Sequence, residues 1–173
     1  MDQRDLRQIF SAFATGVTVV TAYDDEGAPV GITANSFTSV SLEPALVLWC
    51  LDNRSRHLST FSDGTPFSIH ILSEGQEDTA MQFARSGASG LVQRGDGASE
   101  LTPKIDGALA RVECRVADLH VAGDHTIIIG EIREAEIVEA APLVFQKSRF
   151  GHFTPASQLS GQEAWHILVD MWS

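Results

Sequence analysis

Along this chain the spacing between apolar positions keeps changing, and each spacing predicts a different element. Leu6, Ile9, Phe10 and Phe13 recur at i, i+3, i+4 and i+7, which predicts an amphipathic helix over residues 2–14, stopped at Gly16. Residues 17–23 are β-branched and predict a strand that runs into an Asp-Asp-Glu-Gly-Ala-Pro turn. Residues 31–41, GITANSFTSVS, have strand-like composition but are rich in hydroxyls and carry no charge. Residues 45–51 are apolar on both parities, as a strand buried on both faces would be. Asn53, Arg54 and Ser55 offer caps for a short helix containing Leu58 and Phe61, with Gly64 as its stop.

Phe67, Ile69 and Ile71 alternate as a strand, and Ser73 opens a second short helix containing Met81, Phe83 and Ala84. Residues 86–107 are rich in Gly, Ser and Asp and read as a long surface loop, a length that points to function or mobility. Strands resume over 110–116, after the turn Ala122-Gly123-Asp124-His125 over 126–132, and briefly over 143–145. In the tail, Trp165, Leu168, Val169 and Trp172 fall on one helical stripe. Many strands at hairpin spacing with short helices, no internal repeat and no linker predict one mainly β domain over 1–173. The architecture expected is a closed or partly closed barrel.

Composition narrows the partners. The 173 residues are enough to bury a core, and 43% hydrophobic with 20% charged residues is ordinary for a globular protein. A net charge of −11 argues against nucleic acid and anionic membrane, which both require a basic surface. Cys50 and Cys114 lie in apolar strand-like runs, as buried thiols of a reducing compartment do. The charged start MDQRDLRQIF is no signal peptide, and no apolar run approaches the ~20 residues that cross a bilayer. A cytoplasmic protein is expected.

Three stretches carry candidate chemistry. If 31–41 is one extended strand, Thr33, Asn35, Phe37, Ser39 and Ser41 share a face. Either that face is solvated, or its small neutral donors and acceptors hold a flat, polar-edged heterocycle. The start of the helix after Asp52 brings Ser55, Arg54, Arg56 and His57 to backbone N–H groups, as an anion site or as an ordinary surface helix start. The segment AGDHTIIIGEI places His125 in a tight turn, where a histidine is either catalytic or incidental. The remaining histidines, His57, His70, His120, His152 and His166, lack metal-ligand spacing, and no Walker loop, nucleophile elbow or GxGxxG occurs. A nucleotide site here is therefore not of the Rossmann type.

The segments TGVTVVTA (15–22), GITANSFTSVSLEPALVLWCL (31–51), FSIHIL (67–72), QFA (82–84), DGALARVECRV (106–116) and AGDHTIIIGEI (122–132) occur in this order. Together they resemble the short-chain flavin reductase family, FMN-binding split-barrel proteins that supply reduced flavin to two-component monooxygenases. The resemblance covers about residues 6–151, leaving a helical tail over 157–173 without a counterpart. It implies a Greek-key-like split β-barrel, a homodimer with non-covalent FMN or FAD near the interface, and NADH or NADPH delivering hydride to the flavin. It implies flavin contacts from Gly31, Thr33, Ala34, Asn35, Ser36, Ser39, Val40, Ser41, Cys50, Leu51 and Asp52. Ser55, Arg56, His57, Ser59 and Thr60 would hold phosphate, and Phe83, Ala84 and Arg85 would help to close the site. His125 would be catalytic, and with Arg149, Phe150 and Gly151 would face the nicotinamide. Between Phe83 and Asp106 the chain lacks the aromatic-rich pattern of many relatives. The competing expectation is a flavin-binding protein of the same fold that stores, senses or relays electrons without turning over nicotinamide.

Overall fold

The computed structural model describes residues 2–86 and 101–155. Its elements are α1 (Gln3–Phe10), β1 (Thr15–Gly16), β2 (Thr18–Tyr23), β3 (Pro29–Ala34), β4 (Thr38–Leu42), β5 (Ala45–Asp52), β6 (Pro66–Ile71), α2 (Glu77–Ser86), β7 (Ala110–Ala122), β8 (His125–Ile137), β9 (Leu143–Gln146) and β10 (Arg149–His152). A single 3₁₀ turn, Leu58–Thr60, lies between β5 and β6. All strand pairs are antiparallel, in a seven-stranded sheet ordered β3-β2-β6-β7-β8-β5-β4 and a three-stranded one ordered β1-β9-β10.

The stretch 31–41 is not one strand. It breaks at residues 35–37 into the end of β3 and the start of β4, which form opposite edges of the large sheet. Seven flat strands would set those edges roughly 29 Å apart at about 4.8 Å per step. Four residue steps from Ala34 to Thr38 reach no more than about 14 Å. The sheet therefore curls until its edges approach. The single hydroxyl face expected for 31–41 does not survive this break, and a bulge between Ser39 and Ser41 shifts the alternation again.

Curling gives β2 two inner faces. Val20 and Ala22 join Val47, Trp49, Leu51, Phe67 and Ile128 inside the curl. Val17 and Val19, of opposite parity, join Leu72, Ala80, Phe83 and Leu143 in a second core beneath α2 and the small sheet. β5 is buried on one face only: Val47, Trp49 and Leu51 are buried while Leu46, Leu48 and Cys50 are half-buried. Phe61 plugs the curl, its ring 4.9 Å from Trp49 at 78°.

Several boundaries differ from the sequence pattern. α1 ends at Phe10, so Phe13 lies beyond it, and the helix buries no residue. The helix expected after Asn53 is only the 3₁₀ turn, because Thr60 and Phe61 turn inward to close the core. The end of the expected surface loop is packed, with Thr102 and Ile105 buried. The remainder of that loop, residues 87–100, and the tail 157–173 lie outside the described residues.

Both cysteines are free thiols. Cys114 is buried, and burial pushes its thiol up to about 12, whereas Cys50 is half-buried rather than buried. Among the described residues no helix is long and apolar enough to cross a membrane.

Candidate functional site

The break at residues 35–37 forms one end of the candidate site. Thr33 spends its hydroxyl on the Ala80 carbonyl of α2 at 2.7 Å. The Ala34 carbonyl accepts from the Thr18 hydroxyl at 2.7 Å. Ser36 Oγ accepts the Cys50 N–H at 2.9 Å, pinning the turn over the end of β5. Asn35 between them is exposed and has no side-chain partner among the described residues. The hydroxyls here hold the backbone, and the amide is left open.

Asn35 lines two cavities. One, of about 570 Å³, has apolar walls from Phe13, Phe37 and Ile71 and polar edges from Thr15, Thr18, Ser36 and Thr38. Thr15 Oγ1 is buried without a hydrogen-bond partner among the described residues. A buried hydroxyl left unpaired costs about 1–3 kcal/mol, so a ligand atom that reached it would recover that cost. The second cavity, about 200 Å³, brings Thr33, Ala34 and Asn35 together with Val17, Met81, Ala84, Phe145 and Phe150. Phe150 sits 5.3 Å from Phe145, ring to ring. Neutral edges, apolar walls and an unspent hydroxyl suit a flat uncharged heterocycle such as the ring of a flavin.

Gly31 and Phe83 play a different part. Phe83 is buried in the second core, and a Cβ on Gly31 would run into its ring. They set how closely α2 approaches β3, while Ala84 and Arg85 are exposed. On β4, Ser39 and Val40 are exposed and Ser41 half-buried. Leu51 is core, and Thr60 is buried behind the exposed Ser59.

The phosphate candidates lack a helix, so no macrodipole assists them. Arg54 is committed to Asp52 through paired hydrogen bonds of 3.1 and 2.7 Å. That contact holds the Asp52 carboxyl well below the usual range. Arg56 Nε donates to His57 Nε2 at 3.0 Å, so His57 accepts there. Burial, then the Arg56 charge, lowers the pKa of His57. Ser55 Oγ takes the His57 N–H at 3.2 Å. Asp24, at the tip of the β2–β3 turn, is near enough to act on His57. Asn35 stands at the other end of β3.

His125 opens β8 opposite Asp52. Its Nδ1 lies 2.8 Å from Asp124 Oδ1, which can only accept, so Nδ1 carries the proton and Nε2 points elsewhere. The ring is about half exposed, at 45%. This contact lowers the Asp124 pKa, first by hydrogen bonding and then by charge. Arg149, Phe150 and Gly151 stand on β10 of the small sheet, whereas His125 stands on the large one. One chain thus places His125 and the other three nicotinamide candidates on different sheets. Among the described residues no group of His, Cys, Asp and Glu could hold a metal ion.

The family described as "Flavin reductase like domain" matches residues 10–154. The chain belongs to this family. An Agrobacterium fabrum relative, "FMN reductase (NADH) SmoA", is 46% identical over 153 residues, 88% of this chain and 87% of its own length. The reductase component of a 4-nitrophenol 4-monooxygenase/4-nitrocatechol 2-monooxygenase from Rhodococcus opacus is 36% identical, over 90% of this chain and 83% of its own. Among solved structures, the Streptomyces globisporus NADH:FAD oxidoreductase SgcE6 with NAD and FAD fragments aligns at TM-score 0.81 and 38% identity. That alignment covers 91% of this chain and 96% of that one. Sequence reasoning missed Phe13 and Thr15 as cavity walls, whereas Phe37 belonged to the face it had already singled out. The TGV segment at 15–17 was the available signal for Thr15. It also missed Asn53, whose partners lie 70 and 73 positions away.

Proposed function

We propose that this chain is an NAD(P)H:flavin oxidoreductase that reduces FMN or FAD, held without a covalent bond, and passes reduced flavin to a partner monooxygenase. It acts as one cytoplasmic domain, a split β-barrel with a core over about residues 6–151, and pairs with a second copy. The reading rests chiefly on the neutral cavity at Asn35, where apolar walls meet the unpaired Thr15 hydroxyl. Membership of the flavin reductase family supports it.

A bound flavin supplies the hydride acceptor, so the residues have to position, shield and polarise. Asn35 and Thr15 would offer a bound flavin neutral hydrogen-bonding groups, and Phe13 and Phe37 would help to shield it from water. Ser55 and Arg56 are the phosphate contacts, toward the other end of β3. His125 Nε2, the ring nitrogen turned from Asp124, meets the nicotinamide side. NADH or NADPH is the donor, and two relatives are named for NADH. The exposed Ile9, Phe10 and Phe13 support pairing, since two copies would cover them. Pairing would also let Arg149 of one copy approach His125 of the other.

An anaerobic stopped-flow titration with FMN and FAD against NADH and NADPH tests the reading. Loss of oxidised-flavin absorbance at a rate that saturates with NADH is expected. A protein that binds flavin but leaves it oxidised under either nucleotide is the non-catalytic flavin carrier instead. Dilution to monomer should release flavin and activity together, and a fully active monomer by light scattering would remove the pairing.

A further inference from the structure

Asn53 is bonded to both neighbours of His125. Its backbone N–H donates to the Asp124 carbonyl at 2.9 Å. Its side-chain amide donates to the Gly123 carbonyl at 3.2 Å. Its side-chain oxygen accepts from the Thr126 hydroxyl at 2.7 Å. The Gly123 carbonyl can only accept, which fixes which way the Asn53 amide faces, and the Thr126 hydroxyl agrees with it. Thr126 is buried, so this second bond is shielded from water.

The β7–β8 turn needs such a tie. Ala117 to Ala122 are all exposed, and β6 pairs with β7 no further than Arg115. The arm that presents His125 is therefore held from one side, by β5, whose ladder ends at Asp52 opposite His125. Asn53 adds the hydrogen bonds just past that end. Asp124 then orients the ring from the same turn. Each restraint converges on the direction of His125 Nε2.

We infer that Asn53 is a positioning residue for hydride transfer, acting through the β7–β8 turn to aim His125. The inference rests on the reading of His125 as the nicotinamide-side residue. A misplacement on the order of 1 Å in such a group costs up to about 100-fold in rate.

The experiment is a mutant cycle on the full chain: Asn53→Ala, His125→Ala and the double variant, read by anaerobic single-turnover reduction of bound flavin by NADH. Asn53→Ala should slow reduction about 10-fold without changing flavin affinity, and should add nothing in the His125→Ala background. A second readout, independent of flavin, is the ¹H–¹⁵N NMR signature of the His125 ring. It should show the Nδ1–H tautomer in the parent and a mixture in Asn53→Ala. If Asn53→Ala does not fold, Thr126→Val removes one of the same bonds, and Thr126→Ser should restore both rate and tautomer. A tautomer and rate equal to the parent's in a folded Asn53 or Thr126 variant overturn the inference. So does an Asn53 effect that persists in full without His125. A slow His125→Ala beside a fast Asn53→Ala sinks only the positioning role. A His125→Ala variant at the parent rate sinks the reading of His125 and this inference with it.

Discussion

Two polar clusters in this molecule are built from similar side chains and do opposite things. The inner one joins Ser68, His70, Thr102 and Arg111 beneath the segment leading into β7. Ser68 and Thr102 share a hydrogen bond of 2.6 Å, and Arg111 donates to them at 3.2 and 2.9 Å. Arg111 also pairs with Glu113. His70 is fully buried, with Nδ1 at 3.3 Å from the Val19 carbonyl and Nε2 taking the Ile105 N–H at 3.3 Å. Thr21 donates to the Pro103 carbonyl at 2.8 Å. The outer cluster joins Asp52, Asn53, Arg54, Asp124, His125 and Thr126 at the exposed end of β5 and β8. Inside, both nitrogens of the histidine are spent on the fold. Outside, one is spent on Asp124 and the other is unspent among the described residues. The difference teaches that burial and unspent capacity, rather than residue type, separate a fastener from a site.

The largest expected effect lies in the inner cluster. Arg111→Ala would leave Glu113 without its partner and Ser68 and Thr102 short of a donor. Breaking such a pair typically costs about 3–5 kcal/mol. Unfolding free energy from denaturant titration should fall by that amount, with a matching drop in midpoint, while the rate of flavin reduction in folded protein should be close to the parent's. A small change in midpoint would mean that the cluster is not a fastener.

His70 gives a pH test of nearly the same size. Burial, opposed by the Val19 contact, lowers its pKa from 6.5 to about 4. Below pH 6.5 the unfolded chain takes up a proton that the native ring refuses, so stability falls as pH drops toward 4. The full loss is roughly 3 kcal/mol, and it is complete only once pH is below the folded value. Melting temperatures from pH 7 to pH 4 should show this slope in the parent and lose it in His70→Gln. An equal slope in both would place the acid sensitivity elsewhere.

The smallest effect belongs to the cavity. Asn35→Ala removes an exposed amide that the fold does not use, so stability should hold. Flavin affinity should drop by about 1 kcal/mol, roughly five-fold, in a fluorescence titration. Unchanged affinity in the folded variant would take the 35–37 turn out of the site.

How much of this was legible in the chain varies with the range of the interaction. β2 and parts of β7 and β8 follow from local alternation, though those two strands run on to Ala122 and Ile137, past the expected ends at 116 and 132, and family resemblance supplied the fold type. The break at residues 35–37 was hidden because Asn, Ser and Phe suit a strand as well as a turn. What forces the break is that β3 and β4 pair with different partners far along the chain. The helix expected after Asn53 failed because Thr60 and Phe61 are needed inside, a tertiary demand that caps cannot reveal. Thr102 and Ile105 were hidden in a Gly- and Ser-rich stretch whose burial depends on partners such as Thr21, Ser68 and His70.

The most direct test of the contrast sets the two histidines side by side. His125→Ala and His70→Gln are each loaded with flavin and mixed anaerobically with NADH, and each is also unfolded in denaturant. His125→Ala should reduce flavin about 10- to 100-fold more slowly, a loss of about 1.4–2.8 kcal/mol in transition-state binding, with stability near the parent's. Folded His70→Gln should reduce flavin at the parent rate but unfold earlier. Parent-like reduction by His125→Ala, or slow reduction by a stable His70→Gln, would contradict that contrast.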